Sequence, residues 1–268
     1  MTRYICGALL LAFACLMAFD HDRSSAKDSV PKPASMRFEW RTEGPADACG
    51  RDCRIWISAT GVITDETARV FEAFAKDNDV RGSTIVLDSE GGSVLAAMAF
   101  GRAIRRLEMT TTVGKTLALP ADAGAPARAT LSPKATCESM CAFIMLGGTR
   151  RFVPPEARVL VHQIWLGSKS KRALESSYSA DELGLVQRDI GRLARYTIEM
   201  GGGIELLETA LQVPPWEPMH SLTADELRRT RLINVDGLFE ASVPEASVPV
   251  AGAAAGALTT AAQALRRD

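Results

Sequence analysis

The chain has no excess of charge of either sign. Its 268 residues include 31 Lys and Arg against 32 Asp and Glu, for a net charge of −1, and the basic residues are scattered. A nucleic-acid-binding surface needs clustered positive charge to meet the phosphates, so this balance argues against that class of partner. A P-loop is also missing, which excludes an ATP-driven motor of that type within the chain. At 47% hydrophobic residues, the chain can still bury a substantial core.

A hydrophobic run long enough to span a membrane is missing as well. Arg3 precedes an apolar run over residues 5–19, and polar sequence follows it. Such a run is shorter than the roughly 20 residues of a spanning helix, and its flanks are typical of a secretory signal peptide. We therefore expect a signal peptide over residues 1–26 and a periplasmic or secreted protein. The alternative is a protein that stays anchored in the membrane by this segment.

The remaining sequence predicts one folded domain with flexible ends. Residues 27–36 have the composition of a linker, residues 241–268 that of a low-complexity tail, and residues 37–240 that of a globular domain. Within the domain, short β-branched runs alternate with helical patterns, which predicts an α/β fold with a largely parallel sheet. Residues 179–200 predict a long amphipathic helix, and the Pro- and Ala-rich residues 115–134 predict a surface loop.

Cysteines are few once the signal peptide is removed. Four remain, Cys49, Cys53, Cys137 and Cys141, in two pairs with the same spacing. In an exported chain this pattern favours disulfides, but the sequence does not choose among the three possible connectivities. Buried free thiols and a four-cysteine zinc site are the alternatives. Since paired zinc thiolates usually sit within tight knuckles, whereas the second cysteine pair opens an apparent helix, no metal is expected.

Histidines are also scarce, and one of the three lies in an informative place. His162 belongs to the apolar strand "VLVHQ", and Ser139 lies at the start of a predicted helix of about ten residues in "CESMCAFIMLGG". A serine nucleophile needs a neutral imidazole to take its proton and backbone donors for the oxyanion. The N–H of Met140 and the turn with Gly91 and Gly92 suit the second requirement. Each element also has a plainer interpretation, as a helix cap, a core histidine and an ordinary turn.

The order of these motifs resembles the Clp protease proteolytic subunit, in the superfamily that shares the crotonase fold. "LDSEGGSVLAAMAFGRAI" is similar to the family's glycine turn and helix, and "CESMCAFIMLGGTRRFVPPEARVLVHQ" to its nucleophile and histidine elements, within a likeness over about residues 54–240. The resemblance implies repeated β-β-α units, a largely parallel sheet and a projecting long helix. It also implies that Ser139 is the nucleophile, that His162 is the general base, and that the N–H groups of Gly92 and Met140 are the oxyanion donors.

The chain departs from the family pattern at several positions. Glu90 stands where the family has Pro, Cys141 where it has Gly, and the connection over residues 115–134 is longer. The Asp that completes the family's triad falls near Ala210. Glu208 is the nearest possible third member, and it would need a shift in helix register.

The missing acid bears directly on the predicted rate of reaction. Asp181 and Asp225 are weaker candidates than Glu208, and all three are most simply solvated helix charges. In serine proteases, replacing the triad Asp by Asn lowers kcat by about 10⁴, near 5 kcal/mol of barrier. A bare Ser–His pair is therefore expected to be slow.

Two other catalytic classes share some of these features. The signal-peptide peptidase A family pairs its serine with a lysine, for which Lys169 or Lys171 would serve. A crotonase-like acyl-CoA enzyme also uses two oxyanion N–H groups. The "VHQ" segment argues against the first, and export away from coenzyme A argues against the second.

The sequence thus predicts an exported serine peptidase-like hydrolase. It would cleave short or unfolded polypeptides by a Ser–His mechanism, without ATP, without a cofactor and without an ATPase partner. A homo-oligomer is expected, since the helix over residues 179–200 resembles the projecting handle of the family. The alternative is a catalytically degenerate envelope protein of the same fold that acts in binding or assembly.

Overall fold

A computed structural model describes residues 34–120, 127–167 and 174–238. The predicted signal peptide, the predicted tail and the two lysines at 169 and 171 lie outside the described residues, as does most of the predicted linker. Met36, which the sequence placed in the linker, is buried in the core. In the described ranges, none of the helices combines the length and the apolar character that a membrane crossing requires.

The first half of the domain alternates strands and helices. Its elements are β1 (Arg37–Glu43), α1 (Ala46–Cys49), β2 (Ile55–Thr60), α2 (Thr67–Asp77), β3 (Thr84–Asp88), α3 (Val94–Arg106) and β4 (Thr110–Val113). Ile85, Val86 and Leu87 of β3 are buried in succession. Such an uninterrupted apolar run is typical of a strand that is covered on both faces.

The second half carries shorter strands and the long helix. Its elements are β5 (Lys115–Ala118), β6 (Arg128–Ser132), β7 (Thr136–Glu138), α4 (Met140–Met145), β8 (Arg150–Phe152), β9 (Arg158–Val161), α5 (Ala180–Glu199), α6 (Glu205–Leu211), β10 (His220–Ser221) and α7 (Ala224–Arg229). The predicted long helix over residues 179–200 is confirmed by α5. α5 begins with a capping box of Ser179 and Glu182. The two side chains accept hydrogen bonds from backbone N–H groups that have no partner within the helix.

The strands form a mostly parallel sheet and a smaller one beside it. The seven-stranded sheet has the order β5-β6-β1-β2-β3-β4-β8. Its pairs β2/β3, β3/β4, β4/β8 and β1/β6 are parallel, and β1/β2 and β5/β6 are antiparallel. The smaller sheet has the order β10-β9-β7. The predicted α/β class with a largely parallel sheet is therefore confirmed.

Two local predictions were wrong in extent. The surface loop predicted over residues 115–134 contains the antiparallel pair β5/β6, in which Lys115 lies opposite Ser132. The prolines and alanines of that stretch indicated a loop, but the two strands lie at its ends. Thr116 Oγ1 in β5 accepts a 3.0 Å hydrogen bond from the buried Trp56. The helix that follows Ser139 was expected to span about ten residues, but α4 has 6.

Arginine side chains from two other elements, α3 and β8, hold the carboxyl end of α4. Arg105 donates to the carbonyls of Leu146 at 2.7 Å and Gly147 at 2.9 Å, and Arg151 donates to that of Gly148 at 3.0 Å. Burial lowers the pKa of Arg151 to about 10, an effect that the neighbouring Arg105 increases. Positive charge at this end complements the helix dipole, so α4 is fixed in place although it is short.

A close approach between α3 and α5 supports the same helix. The buried Tyr196 donates a 3.0 Å hydrogen bond to the carbonyl of Phe143. A Cβ on Gly101 would lie 1.8 Å from the Tyr196 Oη. Glycine at this position therefore permits the tyrosine to reach α4.

This packing predicts opposite effects for the same substitution at two helical glycines. Gly101→Ala should lower the free energy of unfolding by about 2 kcal/mol, because the added methyl collides with Tyr196. Gly191→Ala in α5, where a Cβ meets nothing within 4 Å, should raise it by about 0.5–1 kcal/mol through helix propensity. Urea denaturation measures both variants. Equal effects of the same sign would contradict this account of the α3–α5 contact.

Candidate active site

The glycine turn after β3 lies against the turn that carries Ser139. A parallel bridge joins Ser89 to Cys137. Gly91 has φ +84°, and a Cβ there would lie 2.8 Å from the Ser139 Cβ and 3.1 Å from the Met140 nitrogen. Because glycine has no Cβ, the two turns can approach this closely. Two motifs that are far apart in the sequence are thus adjacent in the fold.

Ser139 has a backbone conformation that L-residues rarely adopt. It joins β7 to α4 with φ 53° and ψ −120°. These angles are those of the first central residue of a type II′ turn, a position usually filled by glycine. Such conformations cost about 1–3 kcal/mol and persist only where surrounding contacts impose them. Here the Ser139 N–H donates to the Leu160 carbonyl at 2.7 Å.

The Ser139 hydroxyl does not cap its helix. Ser93, Ser179 and Thr223 occupy the same N-cap position in other helices, with φ between −59° and −73°, and each accepts a hydrogen bond from the backbone of its first turn. Ser139 makes no such bond. The ordinary reason for a serine at this position therefore does not apply to it.

Ser139 lines a small cavity together with His162, Gly92 and Met140. The cavity has a volume of about 30 Å³, which accommodates one or two water molecules and no large side chain. Its remaining lining is mostly apolar and consists of Val94, Phe143, Gln163, Ile164, Leu193, Leu207, Ala210 and Leu211. The four residues of the predicted Ser–His site and oxyanion hole thus meet at one place.

His162 follows the last residue of β9. The position is fixed on both sides, since Val161 pairs with β10 and the Gln163 N–H donates to the Val213 carbonyl at 3.0 Å. Burial lowers the pKa of His162 below its ordinary value of 6.5, and an interaction with the Gln163 backbone acts in the opposite direction. The imidazole is therefore neutral at pH 7 and able to accept a proton.

The Ser139 hydroxyl and the His162 ring share the cavity without a direct hydrogen bond between them in the described structure. In enzymes without bound substrate, nucleophile and base are often too far apart for a direct bond and draw together when substrate binds. The cavity that both groups line is large enough for water. The arrangement is therefore compatible with proton transfer after substrate binding.

Two backbone N–H groups at the cavity lack acceptors. Within the described ranges, neither the Gly92 nor the Met140 N–H donates to a protein acceptor. Met140 is the first residue of α4, where N–H groups have no intrahelical partner. Gly92 has φ +141° and lines the same cavity. Free donors beside a serine hydroxyl are the components of an oxyanion hole.

The structure does not bring the candidate third acids to the cavity. Glu208 is exposed on α6, whereas Ala210 of the same helix lines the cavity. Asp181 and Asp225 are exposed in the first turns of α5 and α7. Among the described residues that line the cavity, none is a carboxylate.

Sequence reasoning missed a carboxylate cluster beside Ser139. Burial raises the pKa of Glu138, and the nearby Glu90 and Asp88 raise it further. The pKa of Asp88 is raised chiefly by burial, although Lys115 opposes this. The run "LDSE" and the Glu before Ser139 could have indicated the cluster, because both adjoin motifs that were predicted to form one site.

The structure pairs the cysteines locally. Disulfides join Cys49 to Cys53 and Cys137 to Cys141, each with a sequence separation of 4. The second disulfide bridges the turn that contains Ser139. In the described residues, no cluster of three or more His, Cys, Asp or Glu has the arrangement of a metal site.

No protein-family model matches the chain, and no curated protein matches it.

The strained turn makes a prediction about stability. Ser139→Gly should raise the free energy of unfolding by about 1 kcal/mol, because glycine adopts these angles freely and only part of the gain is lost to chain entropy. Thr223→Ala, which removes a functioning cap, should lower it by about 1 kcal/mol. Chemical denaturation measures both. A destabilised Ser139→Gly protein would contradict the strain at this turn.

Proposed function

We propose that this protein is a serine hydrolase that cleaves peptide bonds. One observation carries the proposal. Ser139 is held in a strained turn, does not use its hydroxyl as a helix cap, and lines a cavity with a neutral histidine and two free N–H groups. Strain of this kind concentrates at functional sites. A strand-turn-helix junction with the nucleophile at the turn is also the arrangement of the nucleophile elbow.

In the proposed reaction, His162 transfers protons during both acylation and deacylation of Ser139. His162 takes the Ser139 hydroxyl proton while Oγ bonds to the substrate carbonyl carbon, and the N–H groups of Gly92 and Met140 donate to the resulting oxyanion. His162 then gives the proton to the leaving amine as the C–N bond breaks. A water molecule attacks the acyl-enzyme, His162 takes its proton, and Ser139 recovers it as the acid product leaves.

The fold and the oligomer are part of the same proposal. We infer a Clp protease-like member of the crotonase-fold superfamily, and the mostly parallel sheet beside a smaller sheet supports this. Buried residues of α5 all lie in its second half, at Leu193, Tyr196 and Thr197, whereas Leu183 near its start is 50% exposed. A second copy of the chain packed against the first half of α5 would cover this apolar surface.

The substrate follows from the site and from export. The two disulfides and the predicted signal peptide support a location in an oxidising compartment such as the periplasm. ATP-driven unfolding is absent there, so the chain is proposed to act on short or already unfolded polypeptides. Since the cavity is small and mostly apolar, small uncharged side chains should fit best beside Ser139.

Hydrolysis of an unfolded, fluorescently labelled casein tests the function. The purified oxidised protein should release peptides, while Ser139→Ala and His162→Ala should lower the rate at least about 100-fold, as for loss of a general base. Ser93→Ala is the matched control, because it removes a capping serine that does not line the cavity, and it should retain the wild-type rate. The rate should fall in acid with a midpoint below pH 6.5, since protonated His162 is no base.

The degenerate, binding-only alternative makes the opposite prediction for this assay. It is favoured by the lack of a carboxylate among the described residues that line the cavity. A folded, disulfide-bonded wild type with the same rate as Ser139→Ala would reject the hydrolase and support binding or assembly.

Ala210 offers a gain-of-function test of the mechanism. Ala210→Asp places a carboxyl group on the wall that also holds His162. If His162 is the base, the acid should raise the hydrolysis rate about tenfold or more, a fraction of the 10⁴ that a triad Asp contributes. Ala210→Asn has the same size without the charge and should not raise it. Equal rates for the two stable variants would argue against His162 as the base.

A further inference from the structure

The disulfide between Cys137 and Cys141 encloses the proposed nucleophile. Cys137 lies in β7 and Cys141 in α4, so the closed ring contains Glu138, Ser139 and Met140. Both a catalytic hydroxyl and an oxyanion donor are therefore inside one short covalent loop. The other disulfide, Cys49–Cys53, has the same sequence separation of 4 and lies at α1, away from the cavity.

The loop has a geometric consequence for Ser139. The Cα atoms of Cys137 and Cys141 are 5.2 Å apart, whereas an extended segment of this length can span about 13 Å. The disulfide therefore excludes the extended conformations of this segment, and with them one of the ways in which Ser139 would relax to a negative φ. Since the Ser139 side chain makes no cap bond, it contributes nothing of its own to holding φ at 53°.

The surroundings make the turn sensitive to this bond. Cys137 and Cys141 are fully buried, and Gly91 packs against Ser139. In the reduced form, two thiols need more room than a disulfide, because non-bonded sulfur atoms must separate to van der Waals contact. A close-packed interior yields such space only by shifting its elements. The shift would fall on the junction of β7 and α4, where Ser139 lies.

We propose that the Cys137–Cys141 disulfide is the positioning element of the active site, so that Ser139 is configured for attack in the oxidised chain and released in the reduced chain. This inference rests on the proposed function for its effect on catalysis. Two cysteine thiols lose two electrons and two protons to a disulfide-forming oxidant when the site is assembled. A dithiol returns them, breaks the S–S bond and becomes a cyclic disulfide itself. The chain would thus be latent in a reducing compartment and active after export.

The catalytic test compares the two disulfides as matched pairs. Cys137→Ala/Cys141→Ala should lower the casein hydrolysis rate at least tenfold, with its effect on kcat rather than KM, while Cys49→Ala/Cys53→Ala should stay within twofold of the wild type. A folded Cys137→Ala/Cys141→Ala protein at the wild-type rate would overturn the proposal.

A reduction time course covers the case in which that double variant does not fold. Wild-type protein is treated with dithiothreitol, samples are alkylated, and mass spectrometry identifies which disulfide has opened. Cys49 and Cys53 are partly exposed and should open first without loss of activity. Activity should fall with the opening of Cys137–Cys141 and return on reoxidation. Activity that persists after this bond has opened would overturn the proposal.

A stability cycle separates this inference from the proposed function. The stabilisation by Ser139→Gly is measured in the oxidised wild-type background and in the two cysteine-pair backgrounds. It should persist without Cys49–Cys53 and become smaller without Cys137–Cys141, because the loosened turn strains serine less. Equal stabilisation in all three backgrounds would reject positioning by the disulfide. This readout needs no hydrolysis, so it remains valid if the wild type proves inactive.

Discussion

The site depends on one backbone constraint, the positive φ of Ser139. The constraint is imposed from several sides. Gly91 lets the neighbouring turn approach, Leu160 accepts the Ser139 N–H, and the disulfide closes the loop. Surrounding contacts offset the conformational free energy of this unfavourable turn. The same turn directs the Ser139 hydroxyl toward the cavity rather than toward the helix backbone.

The rest of the fold anchors the helix that this turn begins. A six-residue helix has little stability of its own, because nucleation is unfavourable and few internal bonds repay it. Tyr196 compensates by donating to the Phe143 carbonyl within α4, and Arg105 and Arg151 by donating to carbonyls just after its carboxyl end. A parallel bridge between Ser89 and Cys137 brings the carboxyl end of β3 in the larger sheet beside β7 of the smaller sheet, and sites gather at the carboxyl ends of strands in folds of this class. The contacts that stabilise α4 therefore also hold the proposed active site in place.

The fold class and the main residues of the candidate site could be predicted from the sequence. The contacts that hold those residues in place could not, because they arise from tertiary packing. The α/β class and the long helix follow from hydrophobic periodicity, and the structure contains both. The sequence also singled out Ser139 and His162, which line one cavity. The φ of Ser139 and the Arg105 contact with Leu146, 41 residues away, arise from tertiary packing. Local patterns carry no signal for such contacts.

Covalent trapping tests the central claim most directly. The native, oxidised protein is treated with a fluorophosphonate, digested and mapped by mass spectrometry. The account predicts one phosphonylated residue, Ser139, and no reaction at Ser139 once the protein is unfolded. A folded protein with both disulfides intact that carries no adduct at Ser139, or carries it on surface hydroxyls instead, would contradict an activated serine at this turn.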